Sequence, residues 1–369
     1  MAALAPSPTD RRKVRLRALR YLAAFFPPVA GAVSLLDHGL ATWALPIHAF
    51  VTIPLLEVLM PRHADALSKA EEQAALEDPL FDALLYLIVP LQWGMLVLFL
   101  FHMGEPGLAW WERAGRVASM GVLCGIHGIN VAHELGHRAK RYERGMARAL
   151  LLTSLYMHFM IEHNRGHHRR VATADDPASA RYGETVYAFW VRSIVFGWLS
   201  AWRIEAEQQR RKGRPVLDLR NEMVQAMLWQ AALLSTIAAV FGGMVLLCFV
   251  GAAAIGILLL ETVNYIEHYG LRRKPGRAGG HRRVHYVHSW NSDHLLGRLT
   301  LFELTRHSDH HWKASRPYQV LRSREEAPQL PTGYPGTMLL SLVPPLFFHV
   351  MHPRLHAMVE REEELILAA

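Results

Sequence analysis

MVQAMLWQAALLSTIAAVFGGMVLLCFVGAAAIGILLL, residues 223–260, carries no charged side chain. A helix crosses the hydrocarbon core of a bilayer in about 20 apolar residues, so this run is too long for one crossing and long enough for two. Gly242-Gly243 stands near its middle, and glycine gives the backbone freedom that a tight reversal needs. The stretch is read as two helices, spans 223–242 and 243–264, that return the chain to the side it left. Further uncharged runs at Tyr21–Leu36, Ala41–Leu56, Ala83–Phe101 and Val117–Ala132 predict spans at about 19–38, 40–61, 82–102 and 116–134. Six spans make an all-α polytopic membrane protein, a single domain over residues 1–369, with segments 135–222 and 265–369 forming a helical cap. Ala149–Ile161 is too short to cross and is expected to lie against the membrane or the other spans; Thr337–Met351, with Pro344-Pro345, reads as interfacial. The basic-then-apolar order at Arg11–Leu36 imitates a secretory signal, but Pro27-Pro28 and the later spans favour an uncleaved first span.

Composition agrees with this outline. Hydrophobic residues are 51% and charged residues 20%, which excludes disorder, a fibrous chain and a nucleic-acid-binding arm. The net charge of +8 is placed unevenly. Arg11, Arg12, Lys13, Arg15 and Arg17 precede the first span, and Arg138, Lys140, Arg141 and Arg144 follow the fourth. Arg272, Arg273, Lys274, Arg277, Arg282 and Arg283 follow the sixth, whereas the loop 104–112 has two acids and no base. Excess Lys and Arg mark cytoplasmic loops, so both termini and the cap are expected on the cytoplasmic side of a bacterial inner membrane. Cys124 and Cys248 both lie in apolar runs, which excludes a disulfide framework or a thiolate metal site.

Histidine is the outlier, at 22 residues. Four clusters contain nine of them: His133 and His137 in HELGH; His163, His167 and His168 in EHNRGHH; His268 in NYIEHYG; and His307, His310 and His311 in RHSDHH. Partners three or four residues apart share a helix face, so each cluster can present its rings to one point. Neutral imidazole is a ligand for zinc, copper, iron and nickel. Nine rings are too many for one ion and suit two, with four or five each. Glu134, Glu162, Asn264, Glu267 and Asp309 lie close by in sequence and are expected to accept ring N–H groups and fix tautomers. One H-x3-H pair arises easily by accident, and HELGH alone matches the zinc-protease signature. A protease needs one such site and a third ligand, not three further clusters. His38, His48, His63, His102, His349, His352 and His356 are read as loop, interface or packing residues, and His127 and His158 as satisfied core residues. The stretch HSWNSDH, 288–294, is a candidate lid or support for the site.

HELGHR at 133–138, EHNRGHH at 162–168, NYIEHYGL at 264–271 and RHSDHH at 306–311 resemble the integral-membrane alkane 1-monooxygenases, and the resemblance runs from the first span to about His352. VATADDPASARYGE at 171–184 and LPTGYPG at 330–336 extend it. The H-x3-H, H-x3-HH, H-x2-HH pattern fits the wider membrane fatty-acid desaturase and hydroxylase superfamily; NYIEHYGL is the sharper mark of its alkane and xylene hydroxylase branch. LFELT at 301–305 and Arg138 depart from the usual family residues without touching a ligand. The resemblance implies two iron ions, a non-haem diiron centre that activates O2 and hydroxylates the terminal methyl of medium- or long-chain n-alkanes. It implies His133, His137, His163 and His307 on one iron, and His167, His168, His268, His310 and His311 on the other. It also implies electrons from a separate rubredoxin served by a rubredoxin reductase. Arg165, Arg169, Arg170, Arg272 and Arg273 are the expected docking residues for that acidic partner. An alkane has no polar handle, so it is expected to enter from the lipid bilayer and bind by burial, at about 0.8 kcal/mol per CH2. Trp93, Met95, Phe99 and Phe101 are candidate channel residues, with ordinary packing as their alternative role. The competing readings are aromatic methyl hydroxylation of the xylene type, fatty-acyl desaturation, and a metal transporter, which would place ligands along a path in mid-membrane.

Overall fold

The computed structural model describes residues 5–60, 62–276 and 280–368; Arg277, counted among the basic residues after the sixth span, lies outside them. The described residues are helical, with two isolated bridges, Pro275–His281 and Asn291–Gln329, and no strand. Helix α1 (Pro8–Leu36) begins at a reciprocal cap in which Asp10 N–H donates to Ser7 Oγ and Ser7 N–H to the Asp10 carboxylate. It tightens to 3-10 geometry at Arg20–Phe25. Pro27-Pro28 thus start a fresh α segment, where a missing N–H costs nothing. Helix α2 (Gly39–Leu59) and α3 (Pro79–His102, capped by Asp78) follow. Helix α4 occupies residues 110–136, and α5 is Arg141–Thr153. Helix α6 (Val186–Arg211) is capped by Thr185 and α7 (Glu222–His268) by Asn221. The short α8 (His307–Trp312) precedes α9 (Tyr334–Ser341) and α10 (Pro344–Ala368).

Four helices, α1, α2, α3 and α7, are long and apolar enough to cross a membrane, against six spans expected. The difference has two sources. Spans 223–242 and 243–264 belong to one 47-residue element that leaves helical geometry only at Gly242, at φ +82° and ψ 172°. That conformation favours glycine. Its two arms come back to one level: Gln230 on the first accepts from Met157 N–H at 3.1 Å, and Glu261 on the second accepts from the Tyr156 hydroxyl at 2.7 Å. At the bend, Phe241 meets Phe101 at the end of α3. The other source is the expected span 116–134, carried by α4. It buries Glu112, Arg116 and His127 among its neighbours and so falls below the others in hydropathy.

α4 and α7 approach through small residues. A Cβ on Gly121 would lie 2.5 Å from Ile255 Cγ2, and one on Gly256 would lie 2.6 Å from Cys124 Cβ. Close packing on glycine is how membrane helices gain contact without a hydrophobic driving force between them. Leu55, Val58, Leu59, Leu87, Val97, Leu228, Val240 and Leu247 point outward, forming an apolar belt. Arg17 of α1 pairs with Glu303, α4 ends at the first histidine cluster, and α7 starts at Glu222, which pairs with Arg165, and ends at His268, so these helix ends gather around the histidine clusters.

Candidate metal centre

Each ligand segment sits at the end of a helix or in a turn. α4 widens to a π turn at Cys124–Ile129, then delivers His133 and His137 at its end. The second cluster is itself a π turn, His163–His167, followed by one α turn. His268 is the last residue of α7, and His307, His310 and His311 occupy α8. All nine rings converge as two groups whose ligand atoms lie within 4.8 Å of one another: His133, His137, His163, His168 and His310; and His167, His268, His307 and His311.

This grouping corrects the division expected from the resemblance. His307 joins His167, His268 and His311, whereas His168 and His310 join the first group. The π turn explains the second cluster: its i→i+5 hydrogen bonding brings position i+5 back over position i. His168 therefore faces His163, Nε2 to Nε2 at 2.9 Å, and His167 turns aside to His311 at 3.2 Å. In α8 the i, i+4 pair His307 and His311 stays together, and His310, at i+3, turns to His133 at 3.0 Å and His168 at 3.1 Å.

The donor set fits two cations. Six pairs meet Nε2 to Nε2 at 2.9–3.2 Å. Two nitrogens about 2.1 Å from one ion and at right angles to each other lie about 3.0 Å apart. Burial pushes the rings of His163, His168, His307, His310 and His311 well below the usual imidazole range, and that of His137 down to about 4. They are held neutral, as metal ligands must be. His167 differs. Burial opposes its charge, but Asp176, with Oδ2 2.8 Å from Nδ1, outweighs burial and raises it. Asp176 thus holds the proton on Nδ1 and leaves Nε2 free to ligate.

Sequence reasoning missed Asp176, although it lies in the quoted stretch VATADDPASARYGE. Of the five residues expected in its role, only Glu267 reaches a ligand ring, and its Oε2 lies 3.1 Å from His307 Nε2, the nitrogen turned toward His268, so it does not fix that ring's tautomer as Asp176 does for His167. Glu134 accepts from Arg138 and from Tyr318 N–H, Glu162 from Arg170 and Ser200, and Asn264 donates to Glu261. Asp309 takes Arg316, Arg324 and the Arg322 N–H. These four brace the ligand segments from behind. The 288–294 stretch also supports the site: Trp290 N–H donates to Glu267 O, and Ser289 Oγ stands 3.5 Å from His268 Nδ1. His127 is a core residue with Nε2 3.0 Å from Ala24 O and Nδ1 unpartnered; His158 packs on Tyr156, stays outside both groups and leaves Nε2 unpartnered, so neither ring is fully satisfied.

Two other expectations change. Arg165 pairs with Glu205, Arg170 with Glu162, and Arg272 donates to Thr173 O. Arg273 donates to Arg282 O and Arg169 O, which leaves the exposed Arg169 as the freest of the five cations, with Arg273 held against its backbone. Of the candidate channel residues, Met95 and Phe99 are core, Phe101 is exposed, and Trp93 lines a groove beside Arg148 and Glu222. An apolar cavity of about 80 Å³ lies elsewhere, between α2, α4, α7 and α9. Phe50, Ile53, Ile126 and Leu259 are among its lining residues. So are Asn130, Val263 and Leu304, which come shortly before His133, His268 and His307 in the chain.

Comparison with known proteins agrees with this architecture. The fatty acid desaturase family matches residues 108–340. The chain is 40% identical to alkane 1-monooxygenase 1 of Pseudomonas aeruginosa over 88% of its own length and 86% of the relative's. It is 38% identical to an alkane 1-monooxygenase of Acinetobacter baylyi over 84% of its length and 76% of the relative's. To the xylene/toluene monooxygenase hydroxylase component of Pseudomonas putida it is 29% identical, over 95% and 94%.

Proposed function

The chain belongs to the alkane 1-monooxygenases, within the fatty acid desaturase family, and from that premise we propose that it hydroxylates the terminal methyl of medium- or long-chain n-alkanes with O2 and two electrons at a pair of iron ions. The observation that carries the reading is the meeting of nine imidazoles, seven buried and two half-buried, in two groups, on segments that adjoin in sequence the lining of an apolar cavity. His133, His137, His163, His168 and His310 would hold one ion, and His167, His268, His307 and His311 the other. Bound there, the ions supply the redox chemistry that activates O2.

The rest falls to the protein. The cavity binds a chain that offers only CH2 groups, each contributing about 0.8 kcal/mol on burial, and its apolar walls keep water from the reacting carbon. Asn130 Nδ2 is engaged by Leu301 O at 3.1 Å and the Tyr334 hydroxyl by Glu267 at 2.6 Å, so neither offers the substrate a competing polar group. Asp176 fixes the tautomer of His167, and Asp309, clamped by two arginines, fixes the helix of His307, His310 and His311.

We infer that electrons arrive from a rubredoxin, reduced by its reductase, which docks on the cytoplasmic face near Arg169 and Arg273. If reversing both charges left the rubredoxin-dependent rate and its salt dependence unchanged, that surface would be eliminated.

Product analysis with reconstituted rubredoxin and reductase on a ladder of n-alkanes, beside xylene and an acyl thioester, tests the activity. Primary alcohols from the alkanes are expected. Turnover of xylene alone would favour the aromatic reading, which the 29% identical relative keeps as second choice.

A further inference from the structure

Terminal hydroxylation, the reading on which this inference rests, needs protons as well as electrons. One C–H bond, O2, two electrons and two protons become C–OH and water. The O–O bond breaks, one oxygen stays in the alcohol, and the other leaves with both protons. The electrons come from the one-electron carrier protein proposed above. The apolar cavity is lined almost wholly by carbon, and its Tyr334 hydroxyl is already given to Glu267.

A polar route lies on the opposite side of the ligands. Glu261 is a fully buried carboxylate in α7, seven residues before His268. An ionisable group in an apolar helix is expensive and calls for a reason. It gathers the Tyr156 hydroxyl at 2.7 Å, the Ser193 hydroxyl from α6 and Asn264 Nδ2 at 3.3 Å. Together with His158 these residues line a cavity of about 20 Å³, room for about one water. His158 Nε2 is buried there without a partner. The cavity's inner wall is formed by His163 and His167, one ligand from each group. Outside it lies a second, polar cavity of about 340 Å³, bordered by the exposed Asp175, Arg203 and Glu207. Pro177 borders both cavities, and the contact of Arg170 and Glu162 with Ser200 separates them.

We propose that Glu261, with the hydroxyls of Tyr156 and Ser193, is the proton entry to the metal centre. Protons from the outer cavity reach Glu261 and cross the inner cavity to the face between His163 and His167. Around Glu261 the titratable groups are Tyr156 and His158 from the loop after α5, Glu162, and His167 with its partner Asp176. Glu261 is a positioning and proton-carrying residue and does not belong to either ligand group.

The test uses the full chain in detergent. Glu261→Gln is expected to keep its metal content and substrate KM while kcat falls by roughly 100-fold, with a larger solvent deuterium isotope effect and more O2 released as peroxide. Glu261→Asp restores part of the rate. A second variant works from the cavity wall: a Cβ on Gly197 meets no atom within 4 Å, so Gly197→Ala adds a methyl to the inner cavity without a clash. In metal-free protein, infrared spectroscopy reads the hydrogen–deuterium exchange of the carboxyl band that Glu261→Gln removes, and Gly197→Ala should slow that exchange at least tenfold. The proposal is overturned if Glu261→Gln turns over at the wild-type rate, if it loses its metal so that the residue is only a brace, or if Gly197→Ala exchanges at the wild-type rate. Slowed exchange in a chain that hydroxylates no n-alkane would refute the alkane reading and leave the proton entry standing.

Discussion

Asp176 holds His167 through one hydrogen bond of 2.8 Å to Nδ1. Asp176→Asn removes that charge and is expected to weaken metal binding by roughly 10- to 100-fold, measured by metal titration of the purified protein, while its helical circular dichroism stays unchanged. His268→Ala should go further. It removes the only ring that α7 contributes, so metal and activity are lost with the fold retained, as metal analysis beside a thermal melt would show. The nine rings were legible in the sequence because helical spacing alone groups them. Their supports were not. Glu134 follows His133 by one residue and so points about 100° away from it, to Arg138. Asp176 stands nine residues beyond His167, where no periodicity links them and only the folded loop brings them together.

Between elements, spacing stops being sufficient. Whether His167 or His168 shares an ion with His163 depends on a π turn, and a four-residue repeat reads equally well as α. The apolar run 223–260 announced its own reversal through Gly242-Gly243, and the run 117–132 announced the helix of α4, whose buried Glu112, Arg116 and His127 set it apart from the more apolar helices. The α4–α7 contact gives a direct test. Gly121→Ala drives a methyl to 2.5 Å from Ile255 Cγ2 and 3.0 Å from Ala252 O, and is expected to cost about 1–3 kcal/mol as overpacking does. Because the nearest atoms are Ile255 Cγ2 and, at 2.6 Å, Ile255 Cβ, Ile255→Gly in the same protein should recover part of the loss. A thermal melt of the two single variants and the double variant reads the coupling; additive losses would place the strain on the backbone.

Across the whole molecule, a buried ionic network ties the first helix to the last ligand segment. Asp65 meets Arg17, Arg298 at 2.7 Å and Arg306 at 2.9 Å, and Glu303 meets Arg298 at 2.7 Å and the Tyr21 hydroxyl at 2.7 Å. Burial by itself would raise the Asp65 carboxyl, but the three guanidiniums outweigh it and hold the group far below its ordinary value, about 3.9. A pKa depressed by folding stabilises the native state at pH values above the unfolded pKa, and that contribution is lost as pH falls toward the folded one. Asp65→Asn should therefore lower Tm by several degrees at pH 7, and the gap between the two proteins should close only below about pH 4. Orientation is testable on the same scale: a cysteine at Gly107 should react with an impermeant thiol reagent from the periplasmic side of intact cells, and one at Gly213 only after lysis. Reaction at Gly213 in intact cells would reverse the proposed topology.

The same network also dictates an order of events. Tyr21 and its acceptor Glu303 are 282 residues apart, an interval that a ribosome covers at about 5–20 residues per second, on the order of half a minute. Through that time Arg17 has been made and its partners Arg298 and Glu303 have not. His307, His310 and His311 follow directly behind them, so a nascent chain stalled before residue 298 has neither the clamp nor a complete cage. Filling of the nine-ring site is thereby deferred until translation is almost finished, and a prematurely terminated product lacks part of the cage.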